Sequence, residues 1–68
     1  MGYGDKVAIA DVTCTKATDK AILCEHDDWD DPIWFPLSQV DDDSEVYQEG
    51  DAGKLVVTEW IAEQKGLA

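Results

Sequence analysis

Residues 6–15, KVAIADVTCT, carry a clear β-strand pattern in this 68-residue chain. Apolar side chains alternate with other residues up to Ile9 and again from Val12, but the phase slips by one residue between them. Such a slip turns later side chains to the opposite face of a sheet unless the strand contains an extra residue. The pattern therefore predicts a β-strand with a bulge near residues 10–11.

The rest of the chain is typical of short strands joined by polar or glycine-rich turns. Pro36 ends one strand, because proline cannot continue a central ladder, and PLSQV at 36–40 predicts one tight helical turn. The further strands are predicted at residues 20–26, 33–35, 45–48 and 55–57. For the strand at 20–26 the sequence leaves two orientations open: either Ile22 and Cys24 or Ala21 and Leu23 face the core.

The C-terminal residues predict a short helix. Thr58 is a good N-cap, Glu59 places negative charge at the positive end of the helix, and Lys65 places positive charge at the other end. Gly66 stands where a left-handed residue ends many helices. Two helical turns do not persist alone, so we expect this helix to dock on the strands through Trp60.

These elements predict a single mainly β domain spanning residues 1–68. The expected architecture is a small five-stranded antiparallel barrel or bent sheet, SH3-like or OB-like, with a short C-terminal α-helix. A chain of this size has one core, which supplies about 3–5 kcal/mol of stability. The predicted core residues are Val7, Ile9, Leu23, Trp34, Leu55, Val57 and Trp60.

The net charge of −11 is concentrated in one segment. Residues 25–51 hold eleven carboxylates and no Lys or Arg, whereas the other five acids are matched by five lysines. A disordered acidic tail is excluded as the main interpretation, because the chain has three Trp, two Tyr, one Phe and 44% hydrophobic residues. The charge also argues against direct binding of nucleic acid or an anionic membrane, since both are negative.

The segment 25–51 is the predicted binding surface. Carboxylates held at fixed spacing on a rigid sheet can imitate the phosphates of a nucleic-acid strand and attract a basic groove. Trp29 could then be an exposed anchor; the alternative is that Trp29 folds back over the core and the acids only keep the domain soluble. The predicted partner-binding residues are Glu25, Asp27, Asp28, Trp29, Asp30, Asp31, Asp41, Asp42, Asp43 and Glu45.

Catalysis and metal binding have little support in the sequence. His26 is the only histidine available to Ser38 or Ser44, and neither serine lies in a nucleophile-elbow context. The acidic runs do not match the ligand spacing of an EF-hand. Cys14 and Cys24 are expected to be free buried thiols, although a hairpin between them leaves a disulfide open. We expect no enzyme activity, no catalytic residue, no metal site and no cofactor.

Two segments carry a resemblance to known proteins. WFPLSQV at 34–40 and GDAGKLVVTEWIAEQKGL at 50–67 resemble a group of small bacterial and phage proteins of no established activity. That group has a W-x-P-x-S-Q-[IV] motif and a closing W-x-A-x-x-K-G-L helix, and the resemblance covers about residues 20–67. Phe35 and Leu37 depart from its usual Ile and Lys. The resemblance implies a setting in mobile elements, and a phage anti-CRISPR or other anti-defence protein is one example.

Two functions follow as expectations. The first is an acidic inhibitor that occupies the basic groove of a nucleic-acid-handling protein or complex. The second is an accessory module that docks on a replication or helicase-type protein without inhibiting it. No targeting or membrane-spanning segment is apparent in the sequence, so a cytoplasmic location is expected.

Overall fold

The computed structural model describes residues 5–67. Over these residues the chain forms a four-stranded sheet in the order β3-β2-β1-β4, with every neighbouring pair antiparallel. The elements are β1 (Lys6–Ala17), β2 (Ala21–Glu25), β3 (Ile33–Pro36), a 3₁₀ turn (Leu37–Gln39), β4 (Ala52–Thr58) and α1 (Glu59–Gln64). The mainly β class and the C-terminal helix are confirmed, whereas the closed barrel and the fifth strand are wrong.

The predicted bulge divides β1 into two halves. Asp11 has a φ of 61°, and the register with β4 shifts between Ile9 and Val12. Aspartate is one of the few residues besides glycine that adopts this left-handed conformation readily. β4 pairs with β1 on both sides of the bulge, from Lys6 to Thr13, and β2 pairs with β1 from Thr13 onward, so the two partners overlap only at Thr13.

The strand predicted at 45–48 is an irregular loop. Ser44 Oγ accepts a hydrogen bond of 3.2 Å from the backbone N–H of Val46. Asp51 Oδ2 accepts hydrogen bonds of 3.0 Å from the N–H groups of Tyr47 and Gln48. Side chains that bond to nearby backbone groups compete with a strand ladder for the same donors. Val46 is still buried, so the loop contributes to the core without pairing as a strand.

Residues 40–45 cover the outer edge of β4, which is an edge strand of the open sheet. The N–H of Asp41 donates to the carbonyl of Val56 over 2.8 Å, and the N–H of Val56 donates to Ser44 Oγ over 3.2 Å. An uncovered edge would present unpaired donors and acceptors to other chains. Residues 40–45, called the acidic segment below, therefore provide hydrogen-bond partners for the backbone of Val56 at the outer edge of β4.

The core lies on one face of the sheet, under the loop and α1. Leu55 and Val57 are fully buried, as predicted, and the predicted Val7 and Ile9 are half-buried against the cluster. The buried cluster consists of Val12, Cys14, Ile22, Cys24, Phe35, Val40, Val46, Leu55, Val57, Ile61 and Ala62.

Leu23 and Trp34 were wrongly predicted to be core residues. They face each other across β2 and β3 on the opposite side of the sheet, where Leu23 is half-buried and Trp34 is 43% exposed. Ile22 and Phe35 form the neighbouring pair and point into the core. Because the side-chain period of a strand is two, only one of these pairs can be buried on a given face.

The helix begins and ends as predicted but presents a different face. Thr58 Oγ1 accepts a hydrogen bond of 3.3 Å from the N–H of Ile61, and Gly66 adopts a φ of 76° after the last turn. Ile61 and Ala62 are buried, so the preceding Trp60 points outward and is 55% exposed. The docking of the helix through Trp60 is therefore wrong; Ile61 and Ala62 make that contact.

Candidate interaction surface

The first acidic group lies at the end of β2 and in the turn that leads to β3. His26 Nδ1 accepts a hydrogen bond of 3.0 Å from the N–H of Asp28, and the carbonyl of His26 accepts one of 3.0 Å from the N–H of Trp29. These bonds hold the backbone of the turn, so its carboxylates project from an ordered frame. The exposed carboxylates of this first acidic group are Glu25, Asp27, Asp28, Asp30 and Asp31.

Trp29 is half-buried and packs inward. Its ring centroid lies 6.0 Å from that of Phe35 and 5.3 Å from that of His26, with tilted rings in both pairs. Tilted aromatic pairs at these distances contribute about 0.5–1.5 kcal/mol beyond their buried area. Of the two alternatives for Trp29, this arrangement is the one in which the ring folds back over the core. The ring fastens the acidic turn to the sheet.

A shallow open cleft of about 170 Å³ lies beside this turn. One wall is aromatic, and carboxylates stand at the rim, a combination that accommodates an ammonium or guanidinium group. The lining residues are Glu25, His26, Trp29, Asp30, Asp31 and Pro32.

The second acidic group, residues 41–43, follows the 3₁₀ turn. Asp41 is only half-buried but fully engaged: its carboxylate bonds Lys6 Nζ at 2.9 Å and accepts from the N–H of Asp43 at 2.9 Å. The hydrogen bond from Asp43, followed by the one from Lys6, lowers the pKa of Asp41. Asp42 and Asp43 are exposed. Asp41 therefore holds residues 41–43 in place, and Asp42 and Asp43 carry the exposed negative charge.

Glu45 also has a structural contact. Its Oε1 accepts a hydrogen bond of 2.8 Å from the N–H of Lys54, and a Cβ placed on Gly53 would lie 2.6 Å from the same oxygen. Tyr47 donates its hydroxyl hydrogen to the carbonyl of Asp41. Burial, and then the neighbouring aspartates, raise the pKa of Tyr47. These contacts hold the acidic segment against β4.

The two cysteines face each other inside the sheet. Cys14 and Cys24 are cross-strand partners, both are buried, and both are free thiols. Burial, followed by the neighbouring Cys14, raises the pKa of Cys24 to about 12, and burial also raises the pKa of Cys14. Thiols in this state are poor nucleophiles because they carry little thiolate.

Two features bear on metal and membrane binding. Within residues 5–67, no group of three or more His, Cys, Asp or Glu side chains is arranged to hold a metal ion. None of the helices in that range is long and apolar enough to cross a membrane.

The exposure of Trp34 and Trp60 was not predicted from the sequence. The exposure of Trp34 follows from the alternation of side chains along paired strands. When Ile22 and Cys24 face the core, Leu23 and its cross-strand partner Trp34 must face away from it. For Trp60, the signal was the adjacent pair Ile61 and Ala62, which sets the buried side of a short helix.

Comparison with protein-family models, with curated proteins and with solved structures found no match to this chain.

Proposed function

We propose that this protein is a non-catalytic binding protein that presents its carboxylates, as a nucleic-acid mimic, to the basic groove of a nucleic-acid-handling protein. The observation that carries the proposal is the charge distribution: residues 25–51 sum to −11 and the remainder sums to zero. A solvated surface needs no such segregation. An anti-CRISPR or other anti-defence protein is one form that this function would take.

The contacts that fasten the two acidic groups to the sheet support this proposal over a solubilising role. Aromatic packing of Trp29 on Phe35 fastens the first acidic group, and the bonds of Asp41 and Ser44 fasten the second. A mimic gains from such contacts, because the backbone that carries the carboxylates loses less conformational freedom on binding.

The size of the molecule is also suitable. Its longest dimension is 32 Å, close to the roughly 34–36 Å of one turn of B-DNA. The two acidic groups are separated by the strands β1 and β4, with the first after β2 and the second beyond the edge of β4. A groove that follows duplex phosphates over about one turn is therefore long enough to cover the molecule along its longest dimension.

The alternative is an accessory module that uses the same acidic surface without blocking nucleic acid. The two functions differ in whether duplex DNA and this protein exclude each other on the partner. An inhibitor competes with DNA for the groove, whereas an accessory module leaves DNA binding intact.

The test is affinity capture from host lysate at about 50 mM and about 500 mM salt, followed by DNA competition on the captured protein. The bait variant carries Asp→Asn at Asp27, Asp28, Asp30 and Asp31, and the matched control carries Lys16→Gln and Lys20→Gln. We expect capture at low salt by wild type and control, loss with the Asp→Asn bait, and displacement by duplex DNA. Capture by the Asp→Asn bait equal to wild type would refute the mimic.

A further inference from the structure

An exposed indole stands on the face of the sheet opposite the core. Trp34 is 43% exposed on β3, and its cross-strand partner Leu23 is half-buried beside it on β2. The N–H of Leu37 donates to the carbonyl of Lys20 over 2.8 Å, so Lys20 and Leu37 form a hydrogen-bonded pair of the antiparallel ladder. Hydrogen-bonded and non-hydrogen-bonded pairs alternate along such a ladder, so Leu23 and Trp34, three positions along, form a pair without mutual backbone hydrogen bonds. Side chains of such pairs approach closely, so Leu23 supports one side of the indole.

Charge around Trp34 is mixed but mainly acidic. Glu25 is exposed two residues beyond Leu23 on the same face of β2, which makes it a diagonal neighbour of Trp34. Diagonal neighbours lie about 7–8 Å apart, within reach of long or aromatic side chains. Asp31 precedes β3 by two residues. Lys16 stands opposite Leu23 on the far side from Trp34.

We propose that this surface, the Trp34 face, receives an arginine side chain of the basic partner, with the guanidinium stacked on Trp34 and bonded to Glu25. An arginine cation is attracted to an indole face and to a carboxylate at the same time. This inference rests on the proposed function and names the residue type that the partner uses.

Two other modes of docking fit the face less well. A second copy of this chain would bring a further charge of −11 against the first, which opposes a symmetric contact through Trp34. Strand addition to the edge of β3 is disfavoured because the edge positions on either side of Trp34 are Pro32 and Pro36, which have no N–H to donate.

The probes are nona-arginine and nona-lysine peptides, which carry equal charge and differ in the guanidinium. Affinities are measured by calorimetry at about 50 mM salt for wild type, Trp34→Leu and Trp34→Phe. Trp60→Leu is the matched control, because Trp60 is the other exposed tryptophan of the described residues. We expect wild type to prefer nona-arginine about two- to fivefold, as an exposed cation–π contact implies. Trp34→Leu should remove the preference for nona-arginine. Trp34→Phe should retain part of this preference, and Trp60→Leu should retain all of it.

An unchanged preference in Trp34→Leu, or an equal loss in Trp60→Leu, overturns the arginine site. A concentration-dependent dimer that disappears in Trp34→Leu, measured by sedimentation, also overturns it in favour of a second copy. A variant with Asp→Asn at Asp27, Asp28, Asp42 and Asp43 separates the two proposals. If it loses nona-lysine binding while Trp34→Leu has no effect, the proposed function stands alone. If it still binds both peptides as wild type does, while Trp34→Leu loses the preference for nona-arginine, the acidic mimic fails and the Trp34 site stands.

Discussion

The Nζ of Lys6 and the Oδ1 of Asp41 lie 2.9 Å apart and join the first residue of β1 to the acidic segment beyond the edge of β4. The hydrogen bond to Asp41 raises the pKa of Lys6 and helps to lower that of Asp41. The carboxylate of Asp41, which was predicted to bind a partner, thus connects two parts of the fold that are distant in the sequence.

Asp41→Asn should lower the thermal midpoint of unfolding, whereas Asp42→Asn, at an exposed neighbour, should not. The carboxylate of Asp41 has a lowered pKa in the folded state, so its stabilisation is present above the ordinary value of 3.8 and is lost as pH falls through the folded value. The difference between wild type and Asp41→Asn should shrink in the same range. Thermal melts between about pH 2 and pH 7 check this, and equal midpoints for both variants at neutral pH would contradict it.

The stability of the protein should fall at alkaline pH because of Cys24. Burial raises its pKa from 9.0 to about 12, so the unfolded chain loses the thiol proton first and stability decreases from about pH 9 upward. The slope for one such group is at most about 1.4 kcal/mol per pH unit. The pKa values of Cys14 and Tyr47 are also raised, so these groups lower the stability at alkaline pH as well. The contribution of Cys24 is therefore the difference between wild type and Cys24→Ala in the slope of unfolding free energy against pH, measured by urea titrations. Parallel slopes would show that Cys24 is not the cause.

Ile61→Ala should destabilise the protein far more than Trp60→Ala. Ile61 is 5% exposed and anchors the helix in the core, so its truncation should cost about 2–4 kcal/mol. Trp60 is 55% exposed, and its truncation should change the free energy of unfolding by less than about 1 kcal/mol. Chemical denaturation of both variants is the measurement. A larger loss for Trp60→Ala would restore docking of the helix through the indole.

Gly53→Ala should disrupt the contact between β4 and the acidic segment. Gly53 has a φ of 139°, and its added Cβ would lie 2.6 Å from Glu45 Oε1, so backbone strain and a clash act together. Strain alone costs about 1–3 kcal/mol. Gly50→Ala is the control, since Gly50 has a φ of 93° but open space around it. In a Glu45→Ala background the cost of Gly53→Ala should fall toward that of the control; an unchanged cost would show that the clash is relieved by movement of Glu45.

The exposed carboxylates should act on the association rate with the captured partner. Long-range attraction weakens as salt rises past about 0.15 M, where the Debye length is near 8 Å. Asp→Asn pairs at Asp27 and Asp28, or at Asp42 and Asp43, should slow association at low salt and change dissociation little. Lys16→Gln is the control with charge loss of the opposite sign. Association rates equal to wild type at low salt would mean that these aspartates form only a solvated surface.

Local chemistry by itself determined much of the secondary structure. The bulge at Asp11, the end of β3 at Pro36, the cap at Thr58 and the left-handed Gly66 are each specified by a residue and its immediate neighbours. The segregation of charge into residues 25–51 is likewise a property of the sequence alone.

Only the tertiary structure decided which residues face the core and which carboxylates are free. The segments AILC and IWF are apolar at every position, so periodicity could not separate Ile22 and Phe35 from Leu23 and Trp34; pairing between the strands did. The loop at 45–48 resembles a strand, but contacts with Ser44 and Asp51 take its donors. Asp41 is bonded to Lys6, which lies far away in the sequence, whereas the adjacent Asp42 is exposed. The sequence could not distinguish these two carboxylates, because a contact between distant residues is set by their positions in space.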